Sequence, residues 1–438
     1  MESISDAIST FKNKRVLVVG DIMLDRWTFG DVVKISPEAP VPVVRKTEES
    51  VTLGGAGNVA NNLAALGARV FLSGVIGDDF NKKTILRLLK ENGINTDAIL
   101  VDRARPTTEK HRVIAKSGHQ LFRLDVEATD HLDTTQERRL YTRIAPLIKK
   151  SDVLILSDYA KGVFSRKLAQ TIITSAKKAK KAVLADFKPK HKLYFRDADI
   201  VSPNLEEARE MTGLDRIDEI GTRLARDLRA HVALTRGGEG ISVFRYKGRK
   251  PAYHVPGKRI RMFDVAGAGD TVIATLALGI ASGLELEAAA ILANEAGAIA
   301  VQKPGTATLS LEELASAFKV SSHIESAKAI PKVWGYEKWL ENNEKYCCKV
   351  LSVKKGYQCS LHYHKKKDET FVVTSGHIRL ELGKEVLHLR PGAFIRIPPR
   401  TKHRFTGIED SLIMEVSTHH DEADSYRLEK SRKIPRFK

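Results

Sequence analysis

Short apolar runs alternate with segments of helical periodicity along the N-terminal part of the chain. The apolar runs, which have the length of strands, are residues 15–20, 69–76, 153–157, 182–186 and 232–235. The segments of helical periodicity are residues 58–66, 80–92, 166–180, 205–212 and 217–230. Apolar strands separated by helices are typical of a parallel sheet covered on both faces, with ligands bound beyond the carboxyl ends of the strands. The pattern therefore predicts an α/β domain.

Two other patterns interrupt or follow this alternation. Residues 31–45 and 108–126 are rich in Val, Ile and Arg and predict a small β lid beside the ligand site. After Phe318 short alternating strands separated by Gly and Pro indicate an antiparallel barrel or jelly roll. These strands are residues 348–353, 371–373, 377–382, 385–389, 394–397 and 412–415. We therefore expect an α/β domain (1–318), a linker (319–331) and an all-β domain (332–438).

The composition is that of a folded protein without a membrane-spanning segment. Of the 438 residues, 42% are hydrophobic and 29% are charged, and no apolar run is long enough to cross a bilayer. The first residues lack the basic and apolar regions of a signal peptide, so a cytoplasmic protein is expected. The three cysteines, at 347, 348 and 359, form no CxxC motif and suit a reducing compartment.

The net charge of +18 favours anionic ligands. The basic residues are scattered with few interleaved aromatic residues, and no helix-turn-helix, RNP-like or zinc-finger pattern occurs. A nucleic-acid partner is therefore not expected. Attraction of small anionic ligands explains the charge better.

A glycine-rich octet at residues 264–271 (DVAGAGDT) precedes an apolar helical run that starts at Val272. Glycines leave backbone N–H groups unobstructed, and the N-terminus of a helix favours negative charge. Because Asp270 would repel an anion that is merely bound, we interpret it as the base for a hydroxyl that attacks a phosphoryl group. The amides of residues 267–269 (Gly267, Ala268 and Gly269) would stabilise the developing charge. The alternative is a glycine turn capped by Asp270.

A second glycine cluster lies at residues 51–67, where glycines at 54, 55 and 57 allow close approach of a ligand and Asn58 opens a helix. Together with the octet, this segment resembles the two signatures of the ribokinase (PfkB) family of sugar kinases. NLEE at 204–207 is similar to the magnesium motif of that family, and TRGG at 235–238 is similar to its nucleotide loop. The resemblance implies a ribokinase-like α/β sandwich that uses ATP with Mg²⁺.

Further segments resemble the D-glycero-β-D-manno-heptose-7-phosphate kinases of that family, over residues 12–310. They are residues 19–25 (VGDIMLD), 35–43 (ISPEAPVPV), 156–162 (LSDYAKG) and 264–273 (DVAGAGDTVI). The resemblance implies ATP-dependent phosphorylation of the anomeric hydroxyl to a 1,7-bisphosphate. It also implies a homodimer, paired through the lid or the second domain. No His-x-Gly-His motif occurs, so a separate nucleotidyltransferase and a phosphatase are expected in the pathway.

The same resemblance implies roles for single residues, and two positions depart from it. Residues implied in binding the sugar and its phosphate are Asp21, Asp25, Gly54, Gly55, Asn58, Arg112, Arg123, Lys161 and Lys188. Residues implied in binding ATP and Mg²⁺ are Asn204, Glu207, Thr235, Gly237, Gly238 and Asn294. The alternatives are a turn cap for Asp25, solvated loop positions for the lysines and an ordinary surface position for Asn294. The departures are Ala266 in place of the usual Thr, and DFKP at 186–189 in place of DPKG.

The all-β part contains a candidate set of metal ligands. His362 and His364, two residues apart on a strand, project to the same face of a sheet, and Glu369 returns on the next strand. With His403 from a second motif, they suit one divalent metal ion of Zn, Mn, Fe, Co or Ni. The spacing resembles the cupin motifs, although Arg400 replaces the usual Gly. The alternative is a barrel that has lost its metal.

Residues 332–430 resemble the cupins of the mannose-6-phosphate isomerase group. The resemblance rests on 333–339 (VWGYEKW), 360–364 (SLHYH) and 415–421 (EVSTHHD). It implies isomerisation of a sugar phosphate such as sedoheptulose 7-phosphate, which would supply the kinase. A non-catalytic, sugar-sensing cupin is the second hypothesis, and a kinase of another phosphosugar, such as fructose 6-phosphate, is the third.

Overall fold

The structure, a computed structural model, describes residues 4–247, 251–258, 266–303 and 308–434, and for 319–326 it describes the backbone only. The chain divides into two compact units, Met1–Phe318 (unit 1) and Lys319–Lys438 (unit 2). Asp264 and Val265, the first residues of the octet, lie outside the described residues.

Unit 1 is built from strands and helices that alternate along most of its length. The strands are β1 (Arg15–Gly20), β2 (Ile22–Ile35), β3 (Pro42–Gly55), β4 (Arg69–Gly77), β5 (Asn95–Asp102), β6 (Thr108–Ala115), β7 (Gln120–Val126), β8 (Val153–Asp158), β9 (Ala182–Phe187), β10 (Ile200–Val201), β11 (His231–Thr235), β12 (Gly240–Phe244) and β13 (Tyr253–Pro256). The helices are α1 (Ile4–Ser9), α2 (Ala56–Ala65), α3 (Phe80–Glu91), α4 (Thr134–Lys150), α5 (Arg166–Lys178), α6 (Leu205–Thr212), α7 (Ile217–Leu228), α8 (Ala268–Ala281), α9 (Leu286–Ala300) and α10 (Leu311–Ser326).

The central sheet has the strand order β13-β12-β11-β10-β9-β8-β1-β4-β5. From β11 to β5 the neighbouring strands are parallel, as predicted, but β12 and β13 are antiparallel. The strands that the sequence predicts are thus parallel, and β12 and β13, which it does not predict, add an antiparallel edge. Only a short turn, Gly237–Glu239, joins β11 to β12, and a parallel connection needs a longer crossover.

Helices cover both faces of the central sheet, because alternate residues of each strand point to opposite sides. In β1, Val16 and Val18 belong to the core beneath α2, α8 and α9, whereas Leu17 and Val19 belong to the core beneath α4, α5 and α7. This arrangement confirms the predicted α/β sandwich.

The lid is a separate four-stranded sheet of order β3-β2-β6-β7. The strands β2 and β3 are longer than the predicted segment 31–45, since β2 starts only two residues after β1 ends. Asp25 therefore lies within a lid strand, β2.

Unit 2 is a strand-rich fold, as predicted. Its strands are β14 (Ala329–Lys332), β15 (Gly335–Asn342), β16 (Cys347–Val353), β17 (Tyr357–Gln358), β18 (His362–His364), β19 (Glu369–Ser375), β20 (Ile378–Leu382), β21 (Glu385–Leu389), β22 (Phe394–Ile397), β23 (His403–Gly407), β24 (Ser411–Ser417), β25 (Ser425–Arg427) and β26 (Arg432–Lys433). One sheet has the order β14-β15-β16-β24-β19-β22, and the other contains β21-β20-β23-β17-β26 with β18 and β25.

The core of unit 2 contains buried Trp334, Phe371 and Phe405, and the rings of Trp334 and Phe405 meet edge to face at 5.0 Å. The segment predicted as a linker, 319–331, is not irregular throughout. Helix α10 continues to Ser326, and β14 begins at Ala329.

Candidate functional sites

The glycine turn of the octet leads into helix α8. Gly267 adopts φ = 76°, a left-handed conformation that favours glycine, and the helix begins at Ala268, earlier than the predicted start at Val272. A Cβ atom added at Gly269 would meet no atom within 4 Å, so this turn borders open space. The first amides of α8 have no carbonyl partner within the helix and are available to an anion.

Asp270 lies in the first turn of α8 and is only 4% exposed. Its Oδ2 accepts a hydrogen bond from Nδ2 of Asn58 at 2.7 Å, and its Oδ1 accepts one from the hydroxyl of Tyr159 at 2.8 Å. Burial raises the pKa of Asp270 to about 6, although both hydrogen bonds oppose the shift. Asn58 does not open α2, which starts at Ala56, but contacts the candidate base instead.

Asp21 holds the loop that follows β8. Its two carboxylate oxygens accept the backbone N–H groups of Tyr159, Lys161 and Val163 at 2.8, 3.0 and 3.2 Å. Burial, followed by the nearby Asp158, raises the pKa of Asp21 to about 6 against these bonds. Since both oxygens are bonded, Asp21 positions this loop rather than presenting a free carboxylate.

Asp25 and Arg112 form an ion pair on the lid sheet, with 2.7 Å between Oδ1 and Nη1. A Cβ atom added at Gly54, on the neighbouring strand, would lie 2.3 Å from Oδ2 of Asp25. Gly55 has φ = 55°, and a Cβ atom there would lie 2.5 Å from the backbone oxygen of Asp21. Gly54 therefore leaves room for the carboxylate of Asp25, and Gly55 allows β3 to approach the backbone at Asp21.

Basic side chains gather on the lid near Asp25. Arg112 and Arg123 are directly opposite each other on β6 and β7. Burial lowers the pKa of Lys110, and Lys161 and the two arginines lower it further against the attraction of Asp25. Arg123 also pairs with Asp125 at 2.9 Å and Lys161 with Glu127 at 2.5 Å, whereas Lys110 forms no salt bridge with any described residue. Such a concentration of positive charge suits a phosphate group.

Lys188 and Glu207 face each other beyond β9, with 2.6 Å between Nζ and Oε1. Glu207 and Asn204 also form a capping box at the start of α6. Burial, then Glu207 and Asp270, raise the pKa of Asp186 to about 7. This crowding of carboxylates favours a cation, so these residues fit a bound magnesium ion.

The residues predicted to contact the nucleotide lie near the carboxyl end of β11 and on α9. Thr235 ends β11 and forms an isolated bridge with Asn204. Gly237 and Gly238 occupy the following turn, where an added Cβ atom would meet nothing within 4 Å. Asn294 of α9 donates to the backbone oxygen of Pro256 at 3.1 Å and so ties this helix to the end of β13.

Two residues near Asp270 were missed from the sequence as functional candidates. Tyr159 stands inside the segment 156–162, which carries the resemblance to heptose kinases, and that position was the available signal. Lys110 lies inside the predicted lid segment 108–126, but the sequence did not predict that its side chain is buried.

In unit 2, three histidines converge, as their spacing predicts. The ligand atoms of His362, His364 and His403 lie within 4.8 Å of one another. Each Nδ1 donates to a backbone oxygen, of Ser360, Asp424 and Thr401 respectively, at 2.8–3.0 Å. Each Nε2 is therefore left as an acceptor. Burial, with His403 nearby, lowers the pKa of His362 to about 3, which keeps its ring neutral.

Glu369 joins this cluster through Oε2, which lies 3.1 Å from Nε2 of His403. Its Oε1 is bonded to Nζ of Lys367 at 2.6 Å, and the same ammonium group contacts Glu415. Oε2 of Glu369 and Nε2 of His403 are buried and have no geometrically satisfactory hydrogen-bond partner. Two orphaned acceptors beside two further histidines fit a bound cation.

The cluster borders a cavity of about 120 Å³ whose lining is strongly charged. Lining residues include Lys332, Lys349, Lys367, Glu415, His420 and Arg427. Arg404, next to His403, pairs with Glu381 and Glu429 at 2.7 Å each. Arg400 adopts φ = 68°, the conformation that glycine would adopt at the position where cupins usually have Gly.

Among the described residues, no helix combines the length and the apolar character needed to cross a membrane.

Family models match both units. The model for the pfkB family of carbohydrate kinases matches residues 13–314, and the model for the cupin domain matches residues 349–417. A bifunctional protein HldE of Syntrophotalea carbinolica is 39% identical over 318 residues, which are 71% of this chain and 64% of that protein. The bifunctional protein HldE of Helicobacter pylori is 40% identical over 346 residues, which are 77% of this chain and 72% of that protein. The chain thus spans about two thirds of the length of these relatives.

Solved structures share the fold of unit 1. A putative ribokinase from Agrobacterium tumefaciens matches with a TM-score of 0.58 and 23% identity, covering 70% of this chain and 98% of its own. The ribokinase of Arabidopsis thaliana, complexed with ribose and ATP, matches with a TM-score of 0.57 and 18% identity, covering 70% and 99%. At these identities the likeness shows a ribokinase-like fold.

Proposed function

The chain belongs to the pfkB family of carbohydrate kinases, and on that premise we propose that unit 1 transfers a phosphoryl group from ATP to the anomeric hydroxyl of D-glycero-β-D-manno-heptose 7-phosphate. The observation that carries the proposal is the environment of Asp270. A buried carboxylate whose pKa is raised to about 6 stands in the first turn of a helix, beside amides that have no carbonyl partner within that helix.

In this proposal Asp270 accepts the proton of the sugar hydroxyl as the oxygen attacks the γ-phosphorus and the bond to the ADP oxygen breaks. The amides of residues 267–269 would stabilise the negative charge on the transferred group. A base with a pKa near the working pH is both largely ionised and able to hold the proton.

The lid cations would bind the phosphate already present on the sugar. Arg112 and Arg123 face each other, and Lys110 and Lys161 add positive charge beside Asp25. Asp25 is a candidate ligand for sugar hydroxyls, because Arg112 occupies only one of its oxygens. A substrate that carries its phosphate far from the reacting hydroxyl fits this arrangement, in which the lid cations bind the phosphate and Asp270 faces the hydroxyl.

ATP would bind on the opposite side of Asp270, near Glu207 and the turn that contains Gly237 and Gly238. Asp186, Asn204 and Glu207 are the residues suited to hold Mg²⁺ or its water, and Lys188 is suited to the phosphates. Bound Mg²⁺ neutralises charge between the transferring oxygens.

The test is phosphoryl transfer to a panel of C6 and C7 sugar phosphates, with Asp270→Asn and the matched control Asp199→Asn. Asp199 lies at the amino ends of β9 and β10, whereas the candidate site lies beyond the carboxyl ends of the strands. Oδ2 of Asp199 accepts the N–H of Val183. We expect the heptose 7-phosphate to be the best substrate and Asp270→Asn to lower kcat at least about a hundredfold with little change in nucleotide affinity. Near wild-type turnover in that variant would contradict the mechanism, and a preference for fructose 6-phosphate would contradict the substrate.

A homodimer through the lid is proposed from its exposed apolar side chains. Ile35 on β2 and Phe122 and Leu124 on β7 are each more than half exposed. Exposed apolar groups on one sheet favour burial against a second copy. Light scattering should give twice the chain mass, and Phe122→Ser with Leu124→Ser should give the monomer. A monomeric wild-type protein would refute this.

For unit 2 we propose one divalent metal ion held by the three histidines and Oε2 of Glu369. The three Nδ1–H···O bonds support it, because they orient every Nε2 toward the same point. Elemental analysis of protein purified without a histidine tag should find one metal per chain. Isomerisation of sedoheptulose 7-phosphate stays a prediction of the resemblance. A metal-loaded cupin without turnover that alters the affinity of the kinase for its sugar would favour the sensing alternative.

A further inference from the structure

Tyr159 touches the proposed base, yet the reaction described above gives it no role. Its hydroxyl donates to Oδ1 of Asp270 at 2.8 Å, and its backbone N–H donates to Oδ2 of Asp21 at 2.8 Å. The side chain is therefore anchored at its backbone and at its tip. Asn58 bonds the other oxygen of Asp270, so the two donors together define the plane of the carboxylate.

Two ammonium groups flank the ring of Tyr159. Nζ of Lys188 lies 5.3 Å from the ring centroid, and Nζ of Lys110 lies 5.7 Å from it. Lys110 comes from the lid strand β6, and Lys188 directly follows β9, so cation–π contacts hold the ring from two elements. Contacts from two elements restrain the position of the ring, so its hydroxyl stays directed at Asp270.

We infer that Tyr159 is a positioning residue for Asp270, whose hydroxyl fixes the carboxylate plane and holds the carboxylate in its ionised, proton-accepting form. The inference rests on the proposed function, because it assigns Tyr159 to the same reaction.

Several charged groups around Asp270 act on its pKa together with this hydrogen bond. Asp25 faces it from the lid strand β2, Asp186 from the end of β9, and Lys188 from the following segment. Burial raises the pKa of Asp270, the bonds from Asn58 and Tyr159 lower it, Asp25 raises it and Lys188 lowers it. Loss of the tyrosine hydroxyl removes one lowering contribution, so a smaller fraction of Asp270 would be ionised near neutral pH.

Tyr159 itself remains a donor throughout this range. Burial, together with Asp270, raises the pKa of Tyr159 well above its ordinary value. The pH dependence that follows therefore belongs to Asp270 and not to the phenol.

The test is Tyr159→Phe, which removes the hydroxyl and keeps the ring between the two lysines. We expect the acidic limb of the pH profile of kcat/KM to move upward by about one pH unit, with kcat at pH 7 lowered several-fold and KM for ATP unchanged. The matched control is Tyr141→Phe, which removes a hydroxyl bonded to Oγ of Ser175 at 2.7 Å, in a contact between α4 and α5. It should leave the profile unchanged.

A second measurement does not depend on turnover. Carboxyl ¹³C NMR of aspartate-labelled protein, with Asp270→Asn to assign the resonance, reports the titration of Asp270 directly. An upward shift in Tyr159→Phe supports the inference even if no sugar phosphate is phosphorylated, in which case only the proposed function fails. An unchanged titration overturns the inference even if the kinase activity is found.

Discussion

Aspartates of unit 1 that lie within one site differ in what surrounds their carboxylates. Asp21 is bonded to three backbone amides, and Asp25 is paired with Arg112, whereas Asp270 is bonded to an amide and a phenol and keeps lone pairs for another donor. Burial raises the pKa of Asp270 to about 6 and that of Asp186 to about 7. The same residue type thus serves as an anchor, an ion-pair partner and a candidate base.

The raised pKa of Asp270 predicts a stability effect with a definite sign. The protonated form is favoured in the folded state, so its contribution to the free energy of unfolding is fully present below pH 3.8 and is lost as the pH rises through about 6. Asp270→Asn avoids that loss. Its melting temperature relative to the wild type should therefore be higher at pH 8 than at pH 4, as calorimetry can measure.

The control for this prediction is Asp227→Asn, for which the opposite sign is expected. Burial opposes the shift, but the bonds from Lys192 and Arg223 lower the pKa of Asp227, so its ionised form stabilises the fold. Relative to the wild type, the Asp227 variant should lose stability as the pH rises through the acidic range to 3.8, and it should show no gain between pH 4 and pH 8. The same trend in both variants would contradict the assigned environment of Asp270.

Glu207→Gln should lower phosphoryl transfer at least about tenfold. Glutamine keeps the cap of α6 but loses the negative charge that faces Lys188 and that is proposed to hold Mg²⁺ or its water. Steady-state rates over a magnesium titration measure the effect. The neighbouring Glu206→Gln, on the exposed side of the same helical turn, is the matched control and should keep the wild-type rate. Full activity without any divalent metal would contradict the role given to Glu207.

At the scale of elements, two turns depend on left-handed backbone. In the turn before α8, Gly267 adopts this conformation at no steric cost and exposes the first amides of the helix. In the turn between β22 and β23, Arg400 adopts φ = 68° with a side chain present. Left-handed backbone at a residue other than glycine lowers the free energy of unfolding by about 1 kcal/mol. The cupin turn is therefore strained where the kinase turn is not.

Arg400→Gly should accordingly leave unit 2 folded and equally stable or more stable, by up to about 1 kcal/mol. The gain is partly offset, because glycine also loses more chain entropy on folding. Denaturant unfolding measures it against Thr401→Gly, the adjacent position, which lacks a positive φ and should lose stability. A larger loss in Arg400→Gly than in Thr401→Gly would contradict the strain.

At the scale of the whole molecule, two units with different chemistry share one chain. Each has its own hydrophobic core, formed over parallel strands in unit 1 and between antiparallel sheets in unit 2. The candidate base and the histidine cluster lie in different units. Domains with separate cores generally respond separately to local substitutions.

The double variant His362→Ala/His364→Ala should therefore lose its bound metal while the kinase keeps its activity. Elemental analysis and the phosphoryl-transfer assay, applied to the same preparation, measure the two properties. Unchanged metal content would show that the ligand set is wrong. Collapse of the kinase activity would show that the units share one function and would favour the sensing role of the cupin.

The sequence by itself determined the elements whose signal is local. Apolar runs placed β1, β4, β8, β9 and β11 to within one or two residues, since a strand buried on both faces must be apolar throughout. Glycine spacing located the turn that precedes α8, because Gly267 adopts left-handed backbone there, but the helix begins at Ala268 and not at the predicted Val272. The histidines two apart on β18 were recognisable for the same reason, as the period of a strand puts them on one face.

Tertiary structure alone decided the contacts between distant segments. Asp270 meets Tyr159 across 111 positions and Asn58 across 212, and strand order, not local pattern, brings them together. The same holds for the burial of Lys110 among lid cations and for Lys367, whose ammonium group bridges Glu369 and Glu415. A side chain's pKa and its partners depend on which elements pack against it, and the composition of its own segment does not contain that information.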